Sequence, residues 1–194
     1  AVEQVIAAYE AANEEQSIVG RRFVLEHGFL PSPDHFERMN ALGIALTAQH
    51  HPYTAGPAMV RYWGEERASR VPPLRSYLDG GVVAASGSDS GVVPYPPLQV
   101  FYYFVTRATM HGRILGAEHK VTRQEALRMA TWNNAYLTFE EDLKGSIEPG
   151  KLADFVVLSD DIMTVADEAI DDITVLMTVV GGEVVYTHAS YEGE

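Results

Sequence analysis

Three short stretches of this chain carry side chains that could do chemistry: Glu26-His27, Gln49-His50-His51 and Gly87-Ser88-Asp89. Each follows a short apolar run. A histidine and an aspartate delivered from different strand ends into one mouth can hold a divalent metal. Imidazole and carboxylate suit zinc, and a bound metal lowers the pKa of its water toward ~7. A neighbouring carboxylate can then move protons. Plainer roles stand beside these. His27 after an apolar strand also reads as a hydrogen-bonded structural histidine. Asp89 in a Gly/Ser turn also reads as a turn or cap residue. His50 and His51 are adjacent, and neighbours on an extended chain point to opposite faces, so one at most should face a shared site. Gly87–Gly91 is weakly like a phosphate loop but lacks the paired lysine. Ser86, Ser88 and Ser90 have no nucleophile-elbow context. His35, His111, His119 and His188 fall in helices, loops or the tail and read as solvated. There are no cysteines, which excludes disulfides, thiolate metal sites and cysteine nucleophiles.

The elements that must position these residues are legible from periodicity. Val2, Val5, Ile6 and Tyr9 share one face of a helix over residues 1–16. Phe23–Leu25, Ile44–Ala48 and Val82–Ala85 read as short buried strands. Ser32-Pro33 starts a helix that stops at Gly43, with serine as cap and proline at the first helical position. Gln49 to about Arg70 reads as a long irregular stretch. Leu74–Leu78 is a short helix. Pro94, Pro96 and Pro97 lead into another, whose apolar face carries Leu98, Phe101, Tyr102 and Val105; Phe101, Tyr102 and Phe104 read as core. Thr122-Arg123-Gln124-Glu125 is a capping box opening a helix to about Trp132. Strands alternating with helices predict an α/β fold of parallel βα units, with the carboxyl ends of the strands on one side. After residue 138 the pattern changes to antiparallel β structure: Asp154–Leu158, Ile173–Val180, and a hairpin at Gly181-Gly182.

Of the 194 residues, 46% are hydrophobic and 21% charged, an ordinary globular mix. The net charge of −13 is uneven: residues 139–194 carry 14 acidic and 2 basic side chains. That shift marks a boundary between segments 1–138 and 139–194. The acidity argues against nucleic acid or an anionic membrane as partner. No apolar stretch approaches the ~20 residues of a spanning helix, and no signal peptide is visible; the cytoplasm is the favoured compartment.

The order of the pieces resembles a known family. Arg22–His27 resembles the strand-six segment of the metal-dependent amidohydrolase superfamily, and Gly87-Ser88-Asp89 its strand-eight segment. Pro73–Gly81 resembles the intervening helix and turn, and Glu125–Ala135 the helix that follows the barrel. Gly145-Ser146-Ile147-Glu148-Pro149-Gly150-Lys151-Leu152-Ala153-Asp154, running on to Leu158, is similar to the entry into the small β domain and is the most specific match. The details are closest to amidohydrolase family 3. The resemblance implies the C-terminal part of a (β/α)₈ barrel in residues 1–138 and strands of a composite β-sandwich in 139–194. It also implies hydrolysis of amide-type carbon–nitrogen bonds in a small molecule, with one or two divalent metals, often zinc. By matched position His27 is a metal ligand. Asp89 binds metal and takes the proton of the attacking water. Gln49, His50 and His51 match more loosely and imply substrate contact.

The departures carry information too. The paired strand-one histidines and the strand-four ligand of the family are absent, and its strand-five histidine would precede Ala1. A full barrel needs about 250 residues. The expectation is therefore the C-terminal part of a longer hydrolase. Its partner would be the rest of the barrel, oligomers are compatible, and alone it would have neither a closed barrel nor a complete metal site. Two other classes fit the same residues: a non-catalytic α/β module packing on another polypeptide, and a small-molecule binding domain using Gly87–Gly91.

Overall fold

The computed structural model describes residues 1–191; the last three residues of the acidic segment lie outside it. Two three-stranded sheets organise the chain. The first is parallel, in the order β1 (Val24–Glu26), β2 (Ala45–Gln49), β3 (Ala84–Gly87). The second is antiparallel, in the order β4 (Phe155–Leu158), β5 (Val175–Val180), β6 (Glu183–Thr187). The parallel strands lie one or two residues later than the apolar runs indicate. Register explains why. Val24 stands opposite Ala45 and Glu26 opposite Thr47, while Leu46 stands opposite Ala84 and Gln49 opposite Gly87. Pairing thus runs on into the polar residues at each strand's end.

Helices cover the parallel sheet: α1 (Val2–Glu15), α2 (Pro33–Leu42), α3 (His51–Trp63), α4 (Glu65–Ser69), α5 (Leu74–Asp79), α6 (Pro97–Thr106), α7 (Arg123–Ala130) and α8 (Trp132–Leu137). One apolar core joins Ile6 of α1, Met39 of α2, Leu25 and Leu46 of the sheet, Phe101 and Phe104 of α6, and Met129 of α7. Ile162, Ile170 and Ile173, from the segment between β4 and β5, belong to the same core. Tyr102 packs against it half-buried.

Both outer edges of the parallel sheet are met by side chains. The Val83 carbonyl accepts from Leu46 N–H, so the alternate carbonyls of Ala84 and Ser86 point away from β2. Asn133 Nδ2 donates to Ala84 O at 2.7 Å, and Asn134 Nδ2 to Ser86 O at 3.1 Å. On the opposite edge Tyr9 Oη donates to Val24 O at 3.1 Å.

The stretch from Gln49 to Arg70 is not irregular. It folds as α3 and α4, and its prolines and Gly56 are accommodated individually. Pro52 sits in the first turn of α3, where its missing N–H costs nothing. Pro57, inside the helix, deprives the Tyr53 carbonyl of its helical donor. Met110 N–H supplies the missing bond at 2.8 Å. Gly56 has no side chain because a Cβ there would lie 2.8 Å from Thr109 Cγ2 and 2.9 Å from Leu115 Cδ1. The capping box at Thr122 is present, with Glu125 N–H donating to Thr122 Oγ1 and Thr122 N–H to Glu125 Oε2. Its helix ends sooner than expected, breaking at Thr131 before α8 begins.

His35 is not solvated. It is 4% exposed and closes the start of α2, its Nδ1 accepting from Ser32 N–H at 3.0 Å. Its Nε2 therefore carries the proton and donates to Glu3 Oε2 at 2.7 Å. The His119 side chain is also largely covered, and burial lowers its pKa. The Gly181-Gly182 hairpin joins β5 to β6 as expected, and all five residues of β6 are exposed.

Arg107 holds the segment after α6. Its guanidinium is fully buried and, among the described residues, bonds no carboxylate. Instead it donates to the carbonyls of Leu115, Pro72, Ser69 and Val71 at 2.8–3.0 Å and lies over the Tyr103 ring. Burial lowers its pKa, with Tyr103 and Glu118 acting the other way. Replacing it leaves four carbonyls without their donor, so Arg107→Met should cost about 3 kcal/mol or more in chemical denaturation. A variant as stable as the parent would show that water serves those carbonyls equally well.

Candidate metal centre

β1 ends in a sharp turn. His27 has φ 67° and Gly28 φ 52°, both left-handed, and His27 N–H still donates to Thr47 O at 2.9 Å. A histidine in this conformation is held by its surroundings rather than by its own preference. Gly28 supplies the hold. Tyr77 Oη donates to its carbonyl at 2.9 Å, and a Cβ at Gly28 would strike the same hydroxyl and come within 2.6 Å of Leu46 Cδ1. β2 passes through Gln49 into His51, the first residue of α3. β3 ends at Gly87, and Asp89, two residues on, is again left-handed at φ 57°.

These three exits converge. The His27 and His51 rings stand edge to face with centroids 5.2 Å apart, and Phe29 packs against both. His51 Nε2 lies 3.0 Å from Asp89 Oδ2. His27, His51 and Asp89 each offer a ligand atom, all within 4.8 Å of one another. The edge of a tetrahedral zinc site is about 3.4 Å, from bonds of about 2.0–2.1 Å. The donor set of two imidazoles and a carboxylate fits a divalent metal in chemistry. His51 Nδ1 is buried without a partner among the described residues, so this nitrogen is not used by the fold. The Asp89 side chain is 35% exposed, which leaves the group open to solvent or substrate.

The other flagged residues sit differently. Gln49 is 3% exposed, and both ends of its amide bond to protein: Oε1 to His27 Nδ1 at 2.7 Å and Nε2 to Glu26 Oε1. His50 is fully buried against Tyr53, neither nitrogen has a hydrogen-bond partner among the described residues, and desolvation pushes its pKa down to about 4. Of the adjacent histidines, His51 is the one that faces His27 and Asp89. Sequence reasoning named Glu26 beside His27 without giving it a role, and it missed Phe29. Glu26 carried a signal, since it stands one residue before His27 and opposite Thr47, two residues from Gln49. Phe29 carried none.

A second cluster, Glu3, Asp34 and His35, also brings three donors together. The Arg38 guanidinium already bonds Glu3 and Asp34, so a cation occupies that position.

Parallel strands that deliver side chains from their carboxyl ends define an α/β fold with a site at one mouth. A profile described as "Amidohydrolase family" matches residues 1–186. The chain belongs to that family. It is similar to an N-substituted formamide deformylase from Arthrobacter pascens, at 34% identity over 96% of this chain and 34% of the relative. An uncharacterized metal-dependent hydrolase from Pyrococcus horikoshii OT3 superposes with TM-score 0.68 at 24% identity, covering 81% of this chain and 32% of that one. Another from Pyrococcus furiosus gives 0.62 at 28% identity, covering 77% and 29%. The chain thus spans about a third of the length of these relatives. No helix among the described residues is long and apolar enough to cross a membrane.

Gly28 makes the local prediction. Gly28→Ala should displace the His27 turn and lower stability by about 2 kcal/mol. Adding Tyr77→Phe, which removes the struck hydroxyl, should recover part of the loss in thermal melts. Full tolerance of the single variant would show that the turn is not constrained as described.

Proposed function

We propose that this chain is the C-terminal part of a metal-dependent hydrolase acting on amide-type, non-peptide carbon–nitrogen bonds of a small molecule. The convergence of His27, His51 and Asp89 from three successive strand ends carries this reading, supported by the family and by the metal-dependent hydrolases it superposes on. Residues 1–138 would form the last three βα units of a (β/α)₈ barrel. Residues 139–194 would contribute strands to a small β-sandwich, with the exposed faces of β4 and β6 covered by the rest of the protein.

His27 and Asp89 would hold a divalent metal, zinc by donor type, and His51 would hold Asp89 in place. A metal there supplies a Lewis acid and makes water a nucleophile at neutral pH. Asp89 accepts the proton of the attacking water and returns it to the leaving nitrogen. His51, through Nε2, fixes the orientation of that carboxylate. Phe29 lies against both imidazoles and keeps that side apolar. Phosphate binding at Gly87–Gly91 is disfavoured, because the Asp89 carboxylate stands in that loop and would repel the anion. The likeness to a formamide deformylase makes N-substituted formamides the first substrates to try.

The test is made in the protein that carries this chain. Asp89→Asn should preserve the circular dichroism spectrum and cut turnover of an N-substituted formamide or simple amide about 10²–10⁴-fold. His27→Ala should weaken both zinc retention and rate. Undiminished turnover in Asp89→Asn would overturn the assignment of the proton acceptor. Zinc retention unchanged in both variants would overturn the metal site.

A further inference from the structure

We infer that Glu26 and Gln49 are positioning residues that lock His27 in the tautomer with a bare Nε2. The inference rests on the reading of His27 as a metal ligand and adds the device that makes it one. Its basis is strand register. Glu26 stands opposite Thr47, and Gln49 follows two residues along β2, so it shares the face of Thr47. The two side chains are diagonal neighbours across the sheet, within reach of long polar groups. His27 is next in sequence to Glu26, where the left-handed turn brings its ring to the same Gln49.

Hydrogen-bond polarity then runs one way. An ionised carboxylate only accepts. The Gln49 amide must therefore turn Nε2 toward Glu26, and it does. Its Oε1 is left facing His27 Nδ1 at 2.7 Å. An amide oxygen only accepts, so Nδ1 must carry the hydrogen. In a neutral imidazole the other nitrogen, Nε2, then holds an unprotonated lone pair. This is the form a metal requires, and it is the minor tautomer of histidine in water. Burial of Gln49 at 3% exposure keeps water from scrambling the bond. Glu26 is exposed, so it can be changed without opening the core.

The experiment uses two variants and two readouts. Long-range ¹H–¹⁵N correlation on metal-stripped, histidine-labelled protein at about pH 8, above the ordinary histidine pKa, reports which nitrogen of His27 is protonated. Zinc affinity is measured by competition with a chelating dye. The parent should show Nδ1–H. Glu26→Gln is isosteric, but its amide donates as readily as it accepts, so the direction is lost. His27 should become a mixture of tautomers and zinc should bind about 10–100-fold more weakly. The exchanged pair Glu26→Gln/Gln49→Glu restores a one-way chain, because a carboxylate at position 49 accepts both from His27 Nδ1 and from an amide at position 26. It should recover the single tautomer and most of the affinity. A purely structural role for Glu26 predicts no change in tautomer and no recovery on exchange.

Nε2–H in the parent, or a Glu26→Gln variant unchanged in both readouts, overturns the inference. Equal zinc binding in all three proteins despite a shifted tautomer also overturns it, while leaving the metal site intact. A parent that shows the tautomer pattern but retains no zinc at His27 overturns the metal reading instead, and the inference with it.

Discussion

The parallel register of three short strands is the constraint on which the rest of the site depends. Glu26 opposite Thr47, and Gln49 opposite Gly87, mean that the chain leaves all three strands on the same side and at nearly the same level. A shift of one residue in β2 would turn Gln49 to the other face and separate it from Glu26 and His27. The apolar contacts of Leu25, Leu46 and Ala84 fix that register from within the core. The side chains at the mouth are thus positioned by packing several residues away.

Register alone does not place the side chains, because each strand must also end abruptly. At His27 and Asp89 the backbone takes up left-handed conformations that residues with side chains adopt only sparingly. For His27 the hold is visible in Gly28, Tyr77 and Leu46. The cost of such conformations, on the order of 1 kcal/mol each, is offset by contacts made elsewhere. The buried Arg107, solvated by carbonyls on both sides of the α5–α6 region, ties down the segments that flank it in the same way.

Much of this was legible in the sequence. The strands, the capping box of α7 and the β5–β6 turn follow from local rules, and the family resemblance followed from ordered motifs. What was not legible depended on distant partners. The stretch holding α3 read as irregular, and nothing local reveals that Met110 will serve the Tyr53 carbonyl or that Thr109 and Leu115 will pack against Gly56. His35 read as solvated because Glu3, its partner, lies 32 residues away. His51 was grouped with Gln49 and His50 for substrate contact. The helix that begins at His51 separates their directions and sends its ring to Asp89.

The two asparagines on β3 have a mechanical consequence. Carbonyls that a neighbouring strand would use for its ladder are already taken by the amides of Asn133 and Asn134. A strand laid along that edge must share the Ala84 and Ser86 carbonyls with the amides or displace them. In a closed barrel this competition would weaken the junction beside β3, the strand that leads into Asp89. Breathing along that junction would move the carboxylate relative to the two imidazoles while β1 and β2 stayed fixed.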